Sequence, residues 1–278
     1  MTDTQAYIHR LLDANPLREP VLRSAIQAIQ LPSGSHGLDV GCGVGLQTLL
    51  LADAVGSEGR ITGVDIVPEF LEFGEKLVGK AGFSERITFR EGDMNHLPFA
   101  GDTFDWVWSA DCIGYPAGEL TPLLEELVRV VKSGGTVILL AWSSQQVLPG
   151  HPLLEARLNA TCSSYAPFLN GKGPELHFLR ALRWFQEMGL EEVKAQTFVG
   201  NVQAPLGTGE RAALTSLFEM LWGQPQPEIS PEDWNEYQRL CQPGSTDFIL
   251  DIHDYYAFFT YSMFQGKVPL GQSQHLTT

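Results

Sequence analysis

Basic side chains are scarce in this chain: 18 Lys and Arg stand against 33 Asp and Glu, a formal net charge of −15 over 278 residues. Such a surface repels phosphate backbones and anionic membranes, and no dense Lys/Arg cluster counters it, so no nucleic-acid partner is expected. Cysteine is sparse too. Cys42, Cys112, Cys162 and Cys241 lie far apart, form no CxxC pair and never approach zinc-ligand spacing with the histidines, so no metal is expected. Long apolar runs are missing, which leaves no candidate transmembrane segment. The opening "MTDTQAYIHRLLDANPL" has neither a basic n-region nor an uninterrupted apolar h-region, so no signal peptide is read. Free thiols in a reducing cytoplasm are the matching expectation. Repeats and low-complexity stretches are absent as well.

What is present is ordinary for a globular protein, with 44 % hydrophobic and 18 % charged residues, enough to bury one large core. The first half alternates short β-rich runs with longer helical patterns. "HGLDVG", "RITGVDI", "RITFREGD", "FDWVWSAD" and "TVILLAW" read as strands. "LQTLLLADAV", "PEFLEFGEKLVGKAG" and "ELTPLLEELVRVVKSGG" read as helices, the last closed by Gly134 and Gly135. This alternation predicts a parallel sheet with helices on both faces and right-handed crossovers. After Trp142 the pattern changes. Residues 143–175 read as loop-rich, 175–190 as a helix, "EEVKAQTFVG" as a sixth strand and "DYYAFFTYSMFQG" as a last one. Phe178, Leu182 and Phe185 form a stripe at helical spacing that reads as core. The expected organisation is one domain over residues 1–278. It comprises an N-terminal helical segment at 1–34, a core at 35–142, and lid segments with the last strands at 143–278.

The stretch "LDVGCGVG" at 38–45 joins a strand to a helix with Gly41, Gly43 and Gly45 in G-x-G-x-G spacing. The dinucleotide fingerprint G-x-G-x-x-G would need a glycine where Leu46 stands, and no P-loop lysine is present. On its own the loop is compatible with a tight strand–helix turn. Three acids add to it: Asp39 inside the strand, Asp65 at the end of the second strand and Asp93 after the third. In an open parallel sheet these positions share the ligand-binding edge.

These residues together resemble the class I S-adenosylmethionine-dependent methyltransferases, in particular the small-molecule branch of ubiquinone and menaquinone biosynthesis. The resemblance rests on "LDVGCGVG", "GVDIVPEFL", "GDMNHLPFAGDTFDWVWSADCIGY" and "LVRVVKSGGTVILLAW", and covers residues 35–142. It implies a Rossmann-like α/β fold whose seven-stranded, mostly parallel sheet has one antiparallel strand. The implied cofactor is S-adenosyl-L-methionine, giving S-adenosyl-L-homocysteine. Carried onto this chain, Gly41, Gly43 and Gly45 let the backbone approach the methionine part and ribose. Asp39 organises the loop and the ligand's amino group, Asp65 takes the ribose hydroxyls and Ile66 packs on the adenine. Asp93 and the backbone N–H of Met94 meet the adenine edge, while Ser109 and Ala110 line the methionine end. Cys42 is expected as a small apolar spacer.

Methyl transfer from a sulfonium depends above all on alignment, and a base is needed only for a hydroxyl or an acidic carbon. Asp111, directly after the fourth strand, is one base candidate, alongside a reading as a turn-stabilising carboxylate. His151 and His177 are the others, each alternatively a loop or helix-face histidine. Tyr115 and Tyr165 are candidates for substrate contact, and the aromatic content of the lid suits a small apolar or aromatic acceptor. Oxygen is the first expected acceptor atom, then carbon or nitrogen. The partner is thus a small-molecule methyl acceptor, and an oligomer is compatible with the sequence. Two other readings remain: a non-catalytic cofactor-binding module, and an NAD-dependent oxidoreductase that leaves Asp93 unexplained.

Overall fold

A computed structural model describes residues 3–112, 120–162, 168 and 171–271. Helix α1 (Asp3–Ile29) precedes β1 (His36–Val40), α2 (Leu46–Ala54), β2 (Arg60–Asp65), α3 (Pro68–Ala81), β3 (Ile87–Glu91) and β4 (Phe104–Ala110). Then come α4 (Leu120–Val130), β5 (Val131–Gln146), α5 (Pro152–Asn159), α6 (Ala181–Glu187), β6 (Glu191–Gln203), α7 (Thr208–Trp222), α8 (Pro231–Cys241) and β7 (Tyr256–Lys267). One seven-stranded sheet results, in the order β3-β2-β1-β4-β5-β7-β6. The pairs β1/β2, β1/β4, β2/β3 and β4/β5 are parallel. Strand β7 runs against its neighbours: Ser133 bonds Pro269 while Ser143 bonds Thr260, and Thr197 bonds Ser262 while Ala204 bonds Tyr255. The strand order reverses beside β1, so the ends of β1 and β4 border the crevice where ligands bind in sheets of this kind.

The chain divides into two compact units, with the boundary inside β5, β6 and β7. One comprises residues 22–141, 175–198 and 262–278. Its core gathers Leu38, Val40, Val107, Leu127, Val137 and Leu139 from the sheet and α4, with Phe178, Trp184, Phe185 and Phe264. Burial of each large apolar side chain contributes about 1.5–3 kcal/mol. Four of the five residues of β1 and six of the seven of β4 are buried, as strands covered on both faces require. The other unit comprises residues 1–21, 142–174 and 199–261. Here Trp142 stacks on Phe259 at 4.6 Å, and Glu155, 1 % exposed, accepts the backbone N–H groups of Val147 and Leu148 at 2.8 and 3.0 Å.

Several boundaries differ from the sequence reading. Helix α4 stops at Val130, ahead of Gly134 and Gly135, because Val131 already pairs with Phe104 and the ladder resumes at Trp106↔Thr136. Gly134, at φ 79°, takes up the intervening bulge and donates to Val268. Residues expected as loop contain the end of β5 and all of α5. The helix expected at 175–190 is cut short because His177 is extended (φ −72°, ψ 131°). Phe178 therefore sits in a separate 3₁₀ turn, and α6 holds only Ala181–Glu187. The proposed stripe is broken accordingly: Phe178 and Phe185 are buried, but Leu182 is 38 % exposed.

Candidate functional site

At the end of β1 the chain turns through Gly41, Cys42, Gly43 and Val44 into α2. The N–H groups of Gly41 and Cys42 both donate to Val64 O, at 2.8 and 3.0 Å, which fastens the loop to the end of β2. Gly45 caps α2 in the left-handed region (φ 81°), and a Cβ there would lie 2.8 Å from the Phe89 ring. Gly41 is also left-handed (φ 72°), and a Cβ would lie 2.2 Å from Cys112 Sγ. Around Gly43 the space is open: a Cβ would meet nothing within 4 Å.

Asp65, closing β2, accepts Gly43 N–H on Oδ2 at 2.8 Å and Val67 N–H on Oδ1 at 3.0 Å. One carboxylate thus ties the glycine loop to the start of α3. Asp39 is buried in β1 and accepts the Thr48 hydroxyl on Oδ2 at 2.6 Å. Burial, and then the charge of Asp65, push its carboxyl up to about 7, against the Thr48 hydrogen bond. Cys42 is buried, and burial drives its thiol far above the usual range.

Ser109 donates to Val40 O at 2.9 Å and is buried; Ala110 beside it is buried as well. Asp111 follows at φ 55°, its N–H on Leu140 O at 2.9 Å. The Cys112 thiol then lies 3.2 Å from Ala110 O and 3.6 Å from Gly41 O, pushed up to about 12 by burial. After β3, Asp93 Oδ1 accepts both the backbone and side-chain N–H of Asn95, at 2.9 and 2.8 Å, and these bonds lower its pKa. Met94 is half-buried, its Cε 3.8 Å from where a Gly41 Cβ would stand. Ile66 is 63 % exposed.

Asp39, Gly41, Cys42, Gly43, Gly45, Asp65, Ile66, Ser109, Ala110 and Asp111 therefore lie at or just after the C-terminal ends of the neighbouring strands β2, β1 and β4, with Asp93 and Met94 in the loop after β3. His177 is used differently: its Nδ1 accepts Leu179 N–H at 3.3 Å, capping a 3₁₀ turn, and burial lowers its pKa. His151 belongs to the other unit, at the start of α5, with Nδ1 3.5 Å from Glu236. Tyr115 and Tyr165 lie outside the described residues. Thr48, Phe89 and Cys112 were missed by the sequence reading. Phe89 and Cys112 meet the glycine loop through strand register, Thr48 meets Asp39 where α2 folds back on β1, and no local pattern marks them. Among the described residues, no group of His, Cys, Asp and Glu is disposed to hold a metal, and no helix is long and apolar enough to cross a membrane.

Residues 38–135 match the family described as "Methyltransferase domain". The demethylmenaquinone methyltransferase of Bacillus velezensis is 32 % identical over 191 residues, spanning 64 % of this chain and 81 % of that protein. The chain is a class I S-adenosylmethionine-dependent methyltransferase. The demethylmenaquinone methyltransferase of Bacillus subtilis is 31 % identical over 191 residues, spanning 64 % of this chain and 81 % of that protein. Two solved structures share the fold of this methyltransferase. One is the YcgJ protein of Bacillus subtilis, at TM-score 0.53 and 18 % identity, covering 91 % of this chain and 100 % of that one. The other is a SAM-dependent methyltransferase from Aquifex aeolicus, at TM-score 0.51 and 18 % identity, covering 95 % and 99 %. The methyltransferase uses S-adenosylmethionine as its cofactor and acts on a small molecule.

Proposed function

We propose that this methyltransferase modifies a small apolar or aromatic acceptor, with a ring hydroxyl oxygen as the first candidate atom. The observation that carries the acceptor class is the match to relatives whose name gives demethylmenaquinone as the molecule they methylate. Transfer to a ring carbon is the second reading, favoured by the quinone in that name.

Two features support the assignment of the cofactor's contacts. Asp39 and Asp65 repel one another, and the first is wholly buried. A ligand carrying positive charge relieves that repulsion and restores the ionised form of Asp39. Asp65 uses one lone pair of each oxygen on backbone N–H groups, so each retains acceptor capacity for a vicinal diol. On this reading Asp39 serves the amino group and Asp65 the ribose hydroxyls. Ile66 offers its exposed side chain to the adenine face, and Asp93 with the Met94 N–H reads the adenine edge. Gly41, Gly43 and Gly45 supply close backbone approach, with Ser109 and Ala110 at the methionine end.

When bound, the cofactor supplies an electrophilic methyl group on a sulfonium. The chain's own part is to fix the crevice and handle the acceptor's proton. The Ser109 hydroxyl, committed to Val40 O, keeps the ends of β1 and β4 in register. Asp111 takes the hydroxyl proton on its carboxylate, which leaves an oxygen or, by resonance, a ring carbon as nucleophile. The test is incubation with S-adenosylmethionine and a panel of catechol, naphthohydroquinone, amine and thiol acceptors, with products read by mass spectrometry. Asp111→Asn is expected to slow transfer to the hydroxylated aromatics about a hundredfold at unchanged S-adenosylhomocysteine affinity. Full activity of that variant removes Asp111 as base, and turnover confined to amines or thiols rejects the acceptor class.

A further inference from the structure

The loop between β3 and β4 carries Asp93 and Met94 in a turn that closes on itself, with His96 N–H donating to Asp93 O at 3.0 Å and Asn95 N–H to Asp93 Oδ1 at 2.9 Å. At its start, Gly92 N–H donates to Asp65 O at 3.0 Å. After that turn, the backbone of Leu97 and Phe99 is bonded by two charged side chains of α4. Glu126 Oε2 accepts Leu97 N–H at 2.7 Å. Arg129 donates to Phe99 O at 2.8 Å through Nη1 and to Leu97 O at 3.2 Å through Nη2. The same two side chains bond each other twice, Nε to Oε1 at 2.6 Å and Nη2 to Oε2 at 2.7 Å. Both are only partly exposed, at 19 % and 25 %. The backbone of α4 adds to this, with Arg129 O and Val130 O accepting Asp102 and Thr103 N–H.

We infer that Glu126 and Arg129 form a positioning pair that sets the adenine-facing edge of the cofactor site through the 92–99 loop. The geometry is specific to that task. An isolated exposed pair one helical turn apart contributes little to stability. Here both partners also satisfy backbone groups of the loop, as the fork of a guanidinium and the two oxygens of a carboxylate allow. Leu97 is 4 % exposed and belongs to the core. Met94 reaches the glycine loop, its Cε 3.8 Å from a Gly41 Cβ position. A shift of Leu97 is therefore passed to Asp93 and Met94 over a few residues, with the glycine loop as the opposing wall. Neither Glu126 nor Arg129 needs to touch the ligand.

The inference rests on the proposed assignment of Asp93 and Met94 to adenine, and the test separates the two. Affinities of S-adenosylhomocysteine and its inosine counterpart, which lacks the amino group, are measured by calorimetry for the wild type, Glu126→Gln, Arg129→Lys and Asp93→Ala. The wild type is expected to prefer the adenine ligand. Loss of one charged hydrogen-bonding partner is expected to weaken S-adenosylhomocysteine about tenfold in Glu126→Gln and to shrink the preference for adenine over inosine. Arg129→Lys, which keeps the charge but not the fork, is expected to fall in between. A structural role alone would lower the melting temperature and leave the adenine/inosine ratio at its wild-type value. An unchanged ratio in both α4 variants, with Asp93→Ala losing it, overturns the positioning role. An unchanged ratio in Asp93→Ala overturns the adenine assignment itself.

Discussion

Asp39→Asn should make the ligand-free protein's stability less dependent on pH. In the native chain, burial and Asp65 raise the Asp39 carboxyl from 3.8 to about 7, although Thr48 donates to it at 2.6 Å. Between those values the folded protein holds a proton that the unfolded chain has released. The native state is therefore favoured by this group below pH 4, and that contribution is lost as pH rises through 7. A difference of about three units, at about 1.4 kcal/mol each, gives a swing of about 4 kcal/mol. An asparagine keeps an acceptor for the Thr48 hydroxyl but has nothing to titrate. Urea unfolding of both proteins at half-unit steps from pH 4 to pH 8 measures the swing directly. Wild-type stability should fall relative to the variant by about 4 kcal/mol over that range, most of it before pH 7. Two parallel curves would refute the reasoning, because a carboxylate ionised throughout in the native state produces no such divergence. The same logic extends to binding: a cationic ligand that favours ionised Asp39 must release protons below pH 7. Titrations in buffers of different ionisation enthalpy would detect this.

Gly41→Ala forces a Cβ into a left-handed residue and against Cys112 Sγ at 2.2 Å. It should weaken S-adenosylhomocysteine at least tenfold, about 1.4 kcal/mol, and adding Cys112→Ala should recover the steric part but not the backbone part, both read by calorimetry. Glu155→Ala strips the Val147 and Leu148 N–H groups of their buried acceptor, and should lower unfolding free energy by about 2–4 kcal/mol in urea titrations.

What could be read in the sequence was what short-range pattern encodes. The apolar strand before Gly41, the acids at strand ends and the helix over 68–81 each follow from local spacing. The end of α4 did not, because Gly134 and Gly135 look like a helix stop while pairing of Val131 with Phe104 decides the matter earlier. His177 likewise interrupts a run with good helical periodicity by adopting extended torsions. In the site, Asp39 and Asp65 stood out as acids at strand ends, but their loads could not be seen. Thr48 meets Asp39 from the next helix, Gly43 meets Asp65 across 22 residues, and Cys112 covers Gly41 across 71. The last two pairs exist only once the parallel register is set, and the first only once α2 folds back on β1. The role of Glu126 and Arg129 was hidden for the same reason, since i,i+3 charges on a helix ordinarily signal only a solvated face.

On the proposed assignment, Asp65 joins the glycine loop to the ribose of S-adenosylmethionine. Calorimetric titration of the wild type and Asp65→Ala with S-adenosylmethionine, S-adenosylhomocysteine and NAD tests it most directly. The two sulfur ligands should bind the wild type with about micromolar affinity, about −8 kcal/mol, and NAD should not bind. The variant, having lost its hydrogen bonds to the diol and to Gly43 N–H, should bind them about a hundredfold more weakly. Equal affinity in the two proteins, or saturable binding of NAD, would contradict the account.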